Sequence, residues 1–182
     1  MTILNERDSL VLIIDIQDKL INAVFNRSVV EKNSVILAKA TQILGIPVIV
    51  TEQYPKGLGA TIQNIKDGLS ENAAFIEKTS FSALENSAIA SAIDKSGRRQ
   101  IVIFGIETHI CVSQTVNALT SKGYDVTVIS DACGSRAEVQ HQAGIARMKE
   151  NKAHIITTEI ALFEWLKGAR HAKFKDIQSL IK

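Results

Sequence analysis

Six short runs of hydrophobic residues stand out along the chain, and each is mostly continuous and rich in Val and Ile. Strands that are buried on both faces of a parallel sheet have this pattern, whereas strands with one face in water alternate between apolar and polar residues. The predicted strands span residues 9–15, 46–51, 74–78, 100–105, 124–130 and 153–158. We therefore expect a sheet of six strands.

The segments between these strands place apolar residues at helical spacing. The three clearest stripes are Ile36, Ala40, Ile43 and Leu44, then Val112, Val116 and Leu119, then Val139, Ala143 and Ala146. A period near 3.6 puts each set on one face of a helix that can cover the sheet. Strands that alternate with such helices predict parallel pairing through right-handed crossovers, and hence a doubly wound α/β sheet with helices on both faces.

Composition narrows the class of protein. The chain has 182 residues, 46% of them hydrophobic, so it is long enough for one buried core and too short for two. We expect one domain over residues 1–182. The chain has 21 Lys and Arg residues and 19 Asp and Glu residues, and the basic residues are dispersed along the sequence. This small and diffuse excess of positive charge argues against a nucleic-acid partner.

The N-terminal residues and the cysteines indicate a cellular compartment. Glu6, Arg7 and Asp8 precede the first apolar run, and no apolar run reaches the roughly 18 residues of a membrane span. We therefore expect a cytoplasmic protein with no membrane partner. Cys111 and Cys133 lie outside any CxxC pair, and a reducing compartment disfavours a disulfide, so each is expected to be a free thiol.

A doubly wound sheet binds its ligands at the carboxyl ends of the strands, where the strand order reverses. Asp15, Lys78 and Cys111 come at or just beyond the ends of the first, third and fourth predicted strands. Together they supply a proton acceptor, a charge partner and a nucleophile. The sequence therefore predicts a cysteine-based catalytic site at this edge.

Cys111 is predicted to lie in the first turn of the helix after the fourth strand, with Thr108 as the N-cap. Free backbone N–H groups and the positive end of the helix dipole favour the thiolate there, which lowers the pKa of the thiol. The same N–H groups can hold the oxyanion that forms when sulfur attacks a carbonyl. The alternative interpretation is a buried, inert cysteine.

Asp15 follows five consecutive Val, Leu and Ile residues, a setting in which an ionised carboxylate needs a partner. Lys78 is the candidate partner. Each residue also has an ordinary interpretation, Asp15 as a loop carboxylate that caps the next helix and Lys78 as a solvated surface lysine. The occurrence of acid, amine and thiol at one edge favours the functional interpretation.

Four segments resemble the isochorismatase-like cysteine hydrolase superfamily. They are DIQ at 15–17, TEQYPKGLG at 51–59, EKTSFSAL at 77–84 and GIETHICV at 105–112. The second is similar to the isochorismatase domain-containing or YcaC-like branch, and the resemblance extends from about residue 9 to about residue 165. It implies a three-layer α/β/α fold with a six-stranded, mainly parallel sheet. It also implies that Asp15, Lys78 and Cys111 form a catalytic triad.

The resemblance implies further features of the site. In that superfamily the peptide bond that here joins Ile106 and Glu107 is often cis, and amides around the cysteine form the oxyanion hole. These amides are here those of Ile110 and Cys111. The residues expected to contact a small-molecule substrate are Gln17, Tyr54 and Phe81, although an aromatic side chain at such a place is more often part of the packing.

A homo-oligomer is expected from the same resemblance. The C-terminal segment offers apolar residues that can pack either on their own domain or on a neighbouring copy. These residues are Trp165, Phe174, Ile177 and Leu180.

Two departures from the superfamily narrow the chemistry. Its nicotinamidases bind a metal through an Asp and a His after the second strand, and the matching positions here hold Glu52 and Tyr54, so we expect no metal ion. Its members that hydrolyse isochorismate generally lack the catalytic cysteine, which this chain retains. GLG at 57–59 is similar to part of a dinucleotide-binding turn, but Ile62 replaces the third glycine, so we expect no cofactor.

His109 is close to Cys111 in sequence, but two residues apart in a helical turn their side chains point in different directions. We expect His109 to order its neighbours and not to act as a base. The sequence thus predicts a cysteine hydrolase of a small amide or a related C–N bond, with a thioester-type intermediate. The alternative is a catalytically idle binding or scaffold protein that keeps the fold.

Overall fold

The computed structural model describes residues 3–182. A single sheet of six parallel strands runs through its centre, in the spatial order β3-β2-β1-β4-β5-β6. The strands are β1 (Ser9–Ile14), β2 (Val48–Gln53), β3 (Ala74–Lys78), β4 (Gln100–Ile106), β5 (Asp125–Gly134) and β6 (His154–Ile156). All six predicted strands are confirmed, with ends that differ by no more than four residues.

Helices cover the sheet and give the three-layer α/β/α arrangement. They are α1 (Asp18–Ile21), α2 (Arg27–Leu44), α3 (Pro55–Leu58), α4 (Gln63–Lys66), α5 (Ser87–Lys95), α6 (Ser113–Ser121), α7 (Glu138–Glu150), α8 (Thr158–Leu166) and α9 (Phe174–Ser179). A 3₁₀ turn (Ala83–Glu85) precedes α5, and a π-helical turn (Thr108–Val112) precedes α6. Within the described residues, no helix is both long and apolar enough to cross a membrane.

The central strands are continuous in Val, Leu and Ile because both of their faces are covered. Every residue of β1 and of β4 is buried. The chain leaves β1 toward β2 and β3 on one side, and leaves β4 toward β5 and β6 on the other. The strand order therefore reverses between β1 and β4, and the crevice at their carboxyl ends is where the fold places a ligand.

The predicted buried stripe of α7 is wrong, although the helix itself is present. Val139, Ala143 and Ala146 are exposed, and the buried residues include His141 and Gly144. Histidine and glycine are not counted as apolar residues, so the hydrophobic pattern of this segment predicted the wrong buried face for the helix. A Cβ atom on Gly144 would lie 2.9 Å from the Cα atom of His109, so α7 packs directly on the π-helical turn.

The C-terminal segment packs on its own chain. Trp165 is buried, and its Nε1 donates a hydrogen bond to Ser9 Oγ at 3.0 Å. Ile177 is fully buried, while Phe174 and Leu180 are partly buried against the same core. Of the two packing arrangements left open by the sequence, this segment adopts the one within its own chain.

Candidate active site

Asp15 directly follows β1, at the carboxyl edge of the sheet. Its backbone has φ 51°, a left-handed conformation that Asp adopts more readily than most other residues. The side chain is fully buried. Thr51 Oγ1 donates a hydrogen bond to Asp15 Oδ1 at 2.6 Å, and Lys78 Nζ donates one to Oδ2 at 2.7 Å. Both carboxylate oxygens are thus hydrogen-bonded, as burial of an ionised group requires.

Lys78 ends β3, and β2 separates this strand from β1. Its side chain therefore reaches Asp15 across the end of β2. There Nζ also donates to Gln53 Oε1 at 2.6 Å, and to the carbonyl oxygens of Ser80 at 3.2 Å and Phe81 at 3.4 Å. The side chains of Lys78 and Asp15 are both fully buried, so the interpretation of Lys78 as a solvated surface lysine is wrong.

Cys111 lies in the π-helical turn that joins β4 to α6. It is 8% exposed, and the Asp15 side chain and the Glu107 backbone are close enough to act on the pKa of its thiol. A carboxylate beside a thiol can accept its proton. The structure therefore brings together the acid, the amine and the thiol that the sequence placed on three separate strands.

Burial raises the pKa of Cys111 to about 12, and the negative charge of Asp15 acts in the same direction. Lys78 and the Glu107 N–H favour the thiolate but do not overcome these two effects. The predicted lowering of this pKa is therefore wrong for the protein without ligand. The helix-terminus argument counted the donors near the sulfur and left out the desolvation of the sulfur and its carboxylate neighbour.

The turn around Cys111 differs from the predicted capped helix. Glu107 is the N-cap residue and makes no side-chain capping bond. The predicted cap, Thr108, instead has its Oγ1 2.9 Å from Nδ1 of His141 on α7. His109 Nδ1 lies 3.0 Å from Ser135 Oγ, which agrees with the expected ordering role. Thr108 is therefore hydrogen-bonded to α7 and His109 to the segment that precedes α7, and neither caps α6.

The predicted oxyanion donors lie in the same turn. The Ile106–Glu107 peptide bond is cis. The N–H of Ile110 donates to the carbonyl oxygen of Glu107 at 3.0 Å, and the N–H of Val112 donates to the same oxygen at 3.3 Å. The Ile110 amide would thus have to share its hydrogen with an oxyanion, and the oxyanion hole stays a prediction for Ile110 and Cys111.

The prediction that Gln17 contacts the substrate does not fit this structure. Its side chain is fully buried, and its Nε2 donates to the carbonyls of Gln53 at 3.1 Å and Gly59 at 2.5 Å. Its Oε1 accepts from the Gln53 N–H at 2.7 Å. These bonds tie the end of β1 to the end of β2 and to the following loop, so the amide positions backbone and faces no open space.

Tyr54 and Phe81 remain predicted substrate contacts. Tyr54 follows β2 and is 56% exposed, and Phe81 follows β3 and is 55% exposed. Tyr54 also borders a depression of ≈ 340 Å³ whose wall includes Lys78. Both rings therefore lie at the same edge of the sheet as Asp15, Lys78 and Cys111 and are open to solvent.

Three residues of the site were missed by sequence reasoning: Thr51, Gln53 and Thr115. Thr51 and Gln53 are two residues apart at the end of β2, a spacing that puts both side chains on one face. Thr115 lies one helical turn beyond Cys111, donates from Oγ1 to the Cys111 carbonyl at 2.7 Å and accepts from the Ala83 N–H at 2.9 Å. Both spacings are visible in the sequence, but the partners come from distant segments.

Glu52 lies at the position where nicotinamidases have a metal ligand, but here its carboxylate is hydrogen-bonded to Thr61. Its Oε1 accepts hydrogen bonds from the N–H and the Oγ1 of Thr61, both at 2.7 Å. Across residues 3–182, no group of three or more His, Cys, Asp or Glu side chains is arranged to hold a metal ion.

The fold and the cysteine-bearing edge define the class as a doubly wound α/β protein with the architecture of isochorismatase-like hydrolases. The isochorismatase domain model matches residues 9–160, and the chain belongs to this family. The family and the fold together support a hydrolytic role.

Two solved structures and one curated relative illustrate the similarity. Isochorismatase domain-containing protein 2 of Xenopus laevis is 36% identical over 98% of this chain and 85% of its own length. The structure of MAR1 ribonuclease from Caenorhabditis elegans has a TM-score of 0.93 and 35% identity, over 98% of this chain and 91% of that one. YcaC from Pseudomonas aeruginosa, with hexane-2,5-diol and covalent acrylamide, has a TM-score of 0.91 and 25% identity, over 97% of this chain and 90% of that one.

Proposed function

We propose that this protein is a cysteine-dependent hydrolase of a small amide or a related C–N bond, with Cys111 as nucleophile and Asp15 as the acceptor of its proton. The observation that carries the proposal is the buried Asp15 carboxylate, which accepts a hydrogen bond from Lys78 Nζ at 2.7 Å and is close enough to Cys111 to raise the pKa of its thiol. A thiol whose pKa is about 12 is a poor nucleophile at neutral pH unless a base takes its proton during the attack.

The reaction follows from that arrangement. As Cys111 Sγ bonds to the carbonyl carbon, its proton passes to Asp15 and the carbonyl oxygen becomes an oxyanion near the amides of the π-helical turn. The C–N bond then breaks, the nitrogen takes the proton from Asp15, and the amine leaves a thioester. Water adds to the thioester and gives a proton to Asp15, which returns it to the sulfur as the acid departs. Lys78 keeps its hydrogen bond to Asp15 Oδ2 and so holds the carboxylate in place through these steps.

The similarity to YcaC is relevant because that structure contains covalent acrylamide, so that protein has a group that reacts with acrylamide. Acrylamide is a small amide whose carbon–carbon double bond adds to thiols. It is therefore also a probe of the proposed nucleophile in this chain.

The sharpest test is Asp15→Asn, because two roles of Asp15 predict opposite effects. If Asp15 only disfavours the thiolate by its charge, the variant should lower the pKa of Cys111 and alkylate faster at pH 7. If Asp15 takes the proton, the variant should alkylate more slowly. We expect slower labelling of Cys111 by iodoacetamide and by acrylamide, followed by peptide mass spectrometry. Cys133, fully buried in both proteins, is the internal control. Faster labelling would overturn the proposed mechanism.

Turnover requires a second experiment. The wild-type protein and Cys111→Ala are incubated with a panel of small primary amides, and both released ammonia and the mass of the acylated protein are measured. We expect a thioester adduct on Cys111 and ammonia release, both absent in the variant. Ammonia release that persists at full rate in Cys111→Ala would remove the cysteine from the mechanism.

The competing candidate is a catalytically idle binding or scaffold protein. The small exposure of Cys111, 8%, and its raised pKa favour this candidate more than the sequence alone did. It predicts that Asp15→Asn labels no more slowly than wild type and that no thioester forms. The labelling experiment therefore separates the two functions without knowledge of the natural substrate.

We also propose that the protein is a homo-oligomer. Ile3, Ile160 and Phe163 are large apolar residues that are 64%, 44% and 40% exposed, and they line one depression of ≈ 500 Å³. Association would cover them. Sedimentation velocity tests this proposal, and a single monomeric species at micromolar concentration would contradict it.

A further inference from the structure

Helix α8 is apolar on two faces, and its own chain covers only one of them. The buried face consists of Thr158, Ala161, Leu162, Trp165 and Leu166. On the opposite face, Ile160 and Phe163 are 44% and 40% exposed. A surface helix of a soluble protein normally presents charged and polar residues there, and a helix that is apolar all round is normally buried. The exposed face of α8 therefore has the composition of a surface that is covered in an assembly.

The N-terminal segment places a third apolar side chain, that of Ile3, beside this face. The N–H of Leu4 donates to Glu164 Oε2 on α8 at 2.9 Å, and the Ile3 carbonyl accepts from Gln100 Nε2 at 3.0 Å. Leu4 is buried, whereas Ile3 is 64% exposed and lines one depression of ≈ 500 Å³ together with the two exposed apolar residues of α8. Two hydrogen bonds thus hold the backbone of this segment while the Ile3 side chain stays open to solvent. We refer to these three exposed side chains as the α8 patch.

Two opposite charges flank the α8 patch. Glu159 and Lys167 border the same depression, and both are exposed. Neither forms an ion pair within residues 3–182. Glu159, Phe163 and Lys167 follow one another at intervals of four residues, which places them in one row along the helix. At 1.5 Å per residue, each charge lies about 6 Å from Phe163 along the axis, on opposite sides of it.

We infer that the α8 patch binds a second copy of this chain across a two-fold axis beside Phe163, with the two α8 helices antiparallel. This inference rests on the proposed homo-oligomer and specifies its interface. A two-fold interface requires a surface that is complementary to itself. In the antiparallel arrangement, Glu159 of each copy faces Lys167 of the partner subunit, so opposite charges meet at both ends of the patch. Parallel helices would instead bring like charges together.

Exchange of the two charges tests this arrangement. Glu159→Lys and Lys167→Glu each place like charges at both ends of the dimer, so each variant alone should associate about 10-fold more weakly than wild type. An equimolar mixture of the two variants restores opposite charges at both ends of the mixed dimer, and the double variant does the same. Both should recover the wild-type affinity. Sedimentation velocity over a range of protein concentrations measures the dissociation constants.

Phe163→Ser tests the apolar centre of the patch. We expect its dissociation constant to rise by about 30-fold, the effect of removing a central aromatic residue from an interface. Phe75→Ser is the matched control, because Phe75 is a phenylalanine on β3 that is 44% exposed and lies outside the α8 patch. It should leave association unchanged.

Three results overturn this inference and leave the homo-oligomer proposal standing. They are a mixture that associates no more tightly than either charge variant alone, unchanged association of Phe163→Ser, and equal weakening by Phe75→Ser. A wild-type protein that stays monomeric at micromolar concentration overturns both proposals and would mean that a different chain covers the patch. Labelling of Cys111 in wild type and Asp15→Asn is a separate experiment, so the proposed hydrolase function stands or fails independently of these results.

Discussion

Replacing Lys78 with Met would test how strongly the buried Asp15 carboxylate depends on the Lys78 ammonium. Met keeps most of the side-chain volume and removes the ammonium group that donates to Asp15 Oδ2 at 2.7 Å. Asp15 then retains the hydrogen bond from Thr51 but has no counter-charge. Removing one partner of a buried ion pair costs about 3–5 kcal/mol. For a chain of 182 residues, we expect the melting temperature to fall by roughly 6–20 °C.

Adding Asp15→Asn to Lys78→Met should restore part of this loss. Asn is suited to the position because it tolerates φ 51° and keeps one oxygen to accept from Thr51 Oγ1. It also removes the buried charge that Lys78→Met leaves unpaired. We expect the double variant to be about 2 kcal/mol more stable than Lys78→Met, within the range of coupling found between residues in direct contact.

Urea unfolding at pH 7, followed by circular dichroism, compares wild type, the two single variants and the double variant. Lys19→Met is the matched control, because Lys19 is an exposed lysine whose Nζ donates only to the Gly57 carbonyl, at 2.8 Å. Its effect should stay within about 0.5 kcal/mol. The reasoning is refuted if Lys78→Met lies within about 1 kcal/mol of wild type, or if the double variant loses the full sum of the two single losses.

Three further predictions concern packing and titration. Gly144→Ala should destabilise the protein by about 1–3 kcal/mol in urea unfolding, because the new Cβ would lie 2.9 Å from His109 Cα; an unchanged midpoint would contradict this. Burial lowers the pKa of His141, so as pH falls the unfolded chain binds a proton at this histidine before the folded chain does, and stability should decrease below about pH 6.5. His141→Gln should remove the share of this decrease that is due to His141. Burial raises the pKa of both Cys111 and Cys133 to about 12, so as pH rises the unfolded chain loses these protons first, and the protein should become less stable above about pH 8.5. Between pH 9 and 11, the free energy of unfolding of Cys111→Ser should fall by about 1.4 kcal/mol less per pH unit than that of wild type. Equal slopes would count against the raised pKa of Cys111.

Hydrophobic pattern was sufficient to predict the sheet because its central strands are buried on both faces. The runs at β1 and β4 are continuous in apolar residues, and every residue of both strands is buried. The same reasoning misjudged α7, where His141, Gly144 and Met148 are the buried residues. Close packing of α7 on the π-helical turn selects for a small residue at 144, which a hydrophobic pattern does not register.

The positions of Asp15, Lys78 and Cys111 followed from the strand-end rule, but the state of the thiol did not. The backbone N–H groups near Cys111 can be predicted from the local sequence, because they belong to the same turn as the cysteine. Burial of the sulfur and the charge of Asp15, a residue far away in sequence, raise the pKa to about 12. The bond between Lys78 and Gln53 was missed for the same reason, since Gln53 comes from a neighbouring strand.

The register of the strands determines whether the proposed triad can form. Residue 51 is paired with Ile14 and Gln53 with Lys78, so the ends of β1, β2 and β3 are aligned at one edge. Since side chains alternate between the two faces of a sheet, a slip of β3 by one residue would turn Lys78 away and leave the buried Asp15 without its ammonium. On the other side of β1, a Cβ atom at Gly105 would lie 2.0 Å from the Ile14 carbonyl oxygen. Only glycine allows β4 to approach β1 this closely just before the turn of Cys111, so residues without reactive groups set the distances on which the proposed chemistry depends.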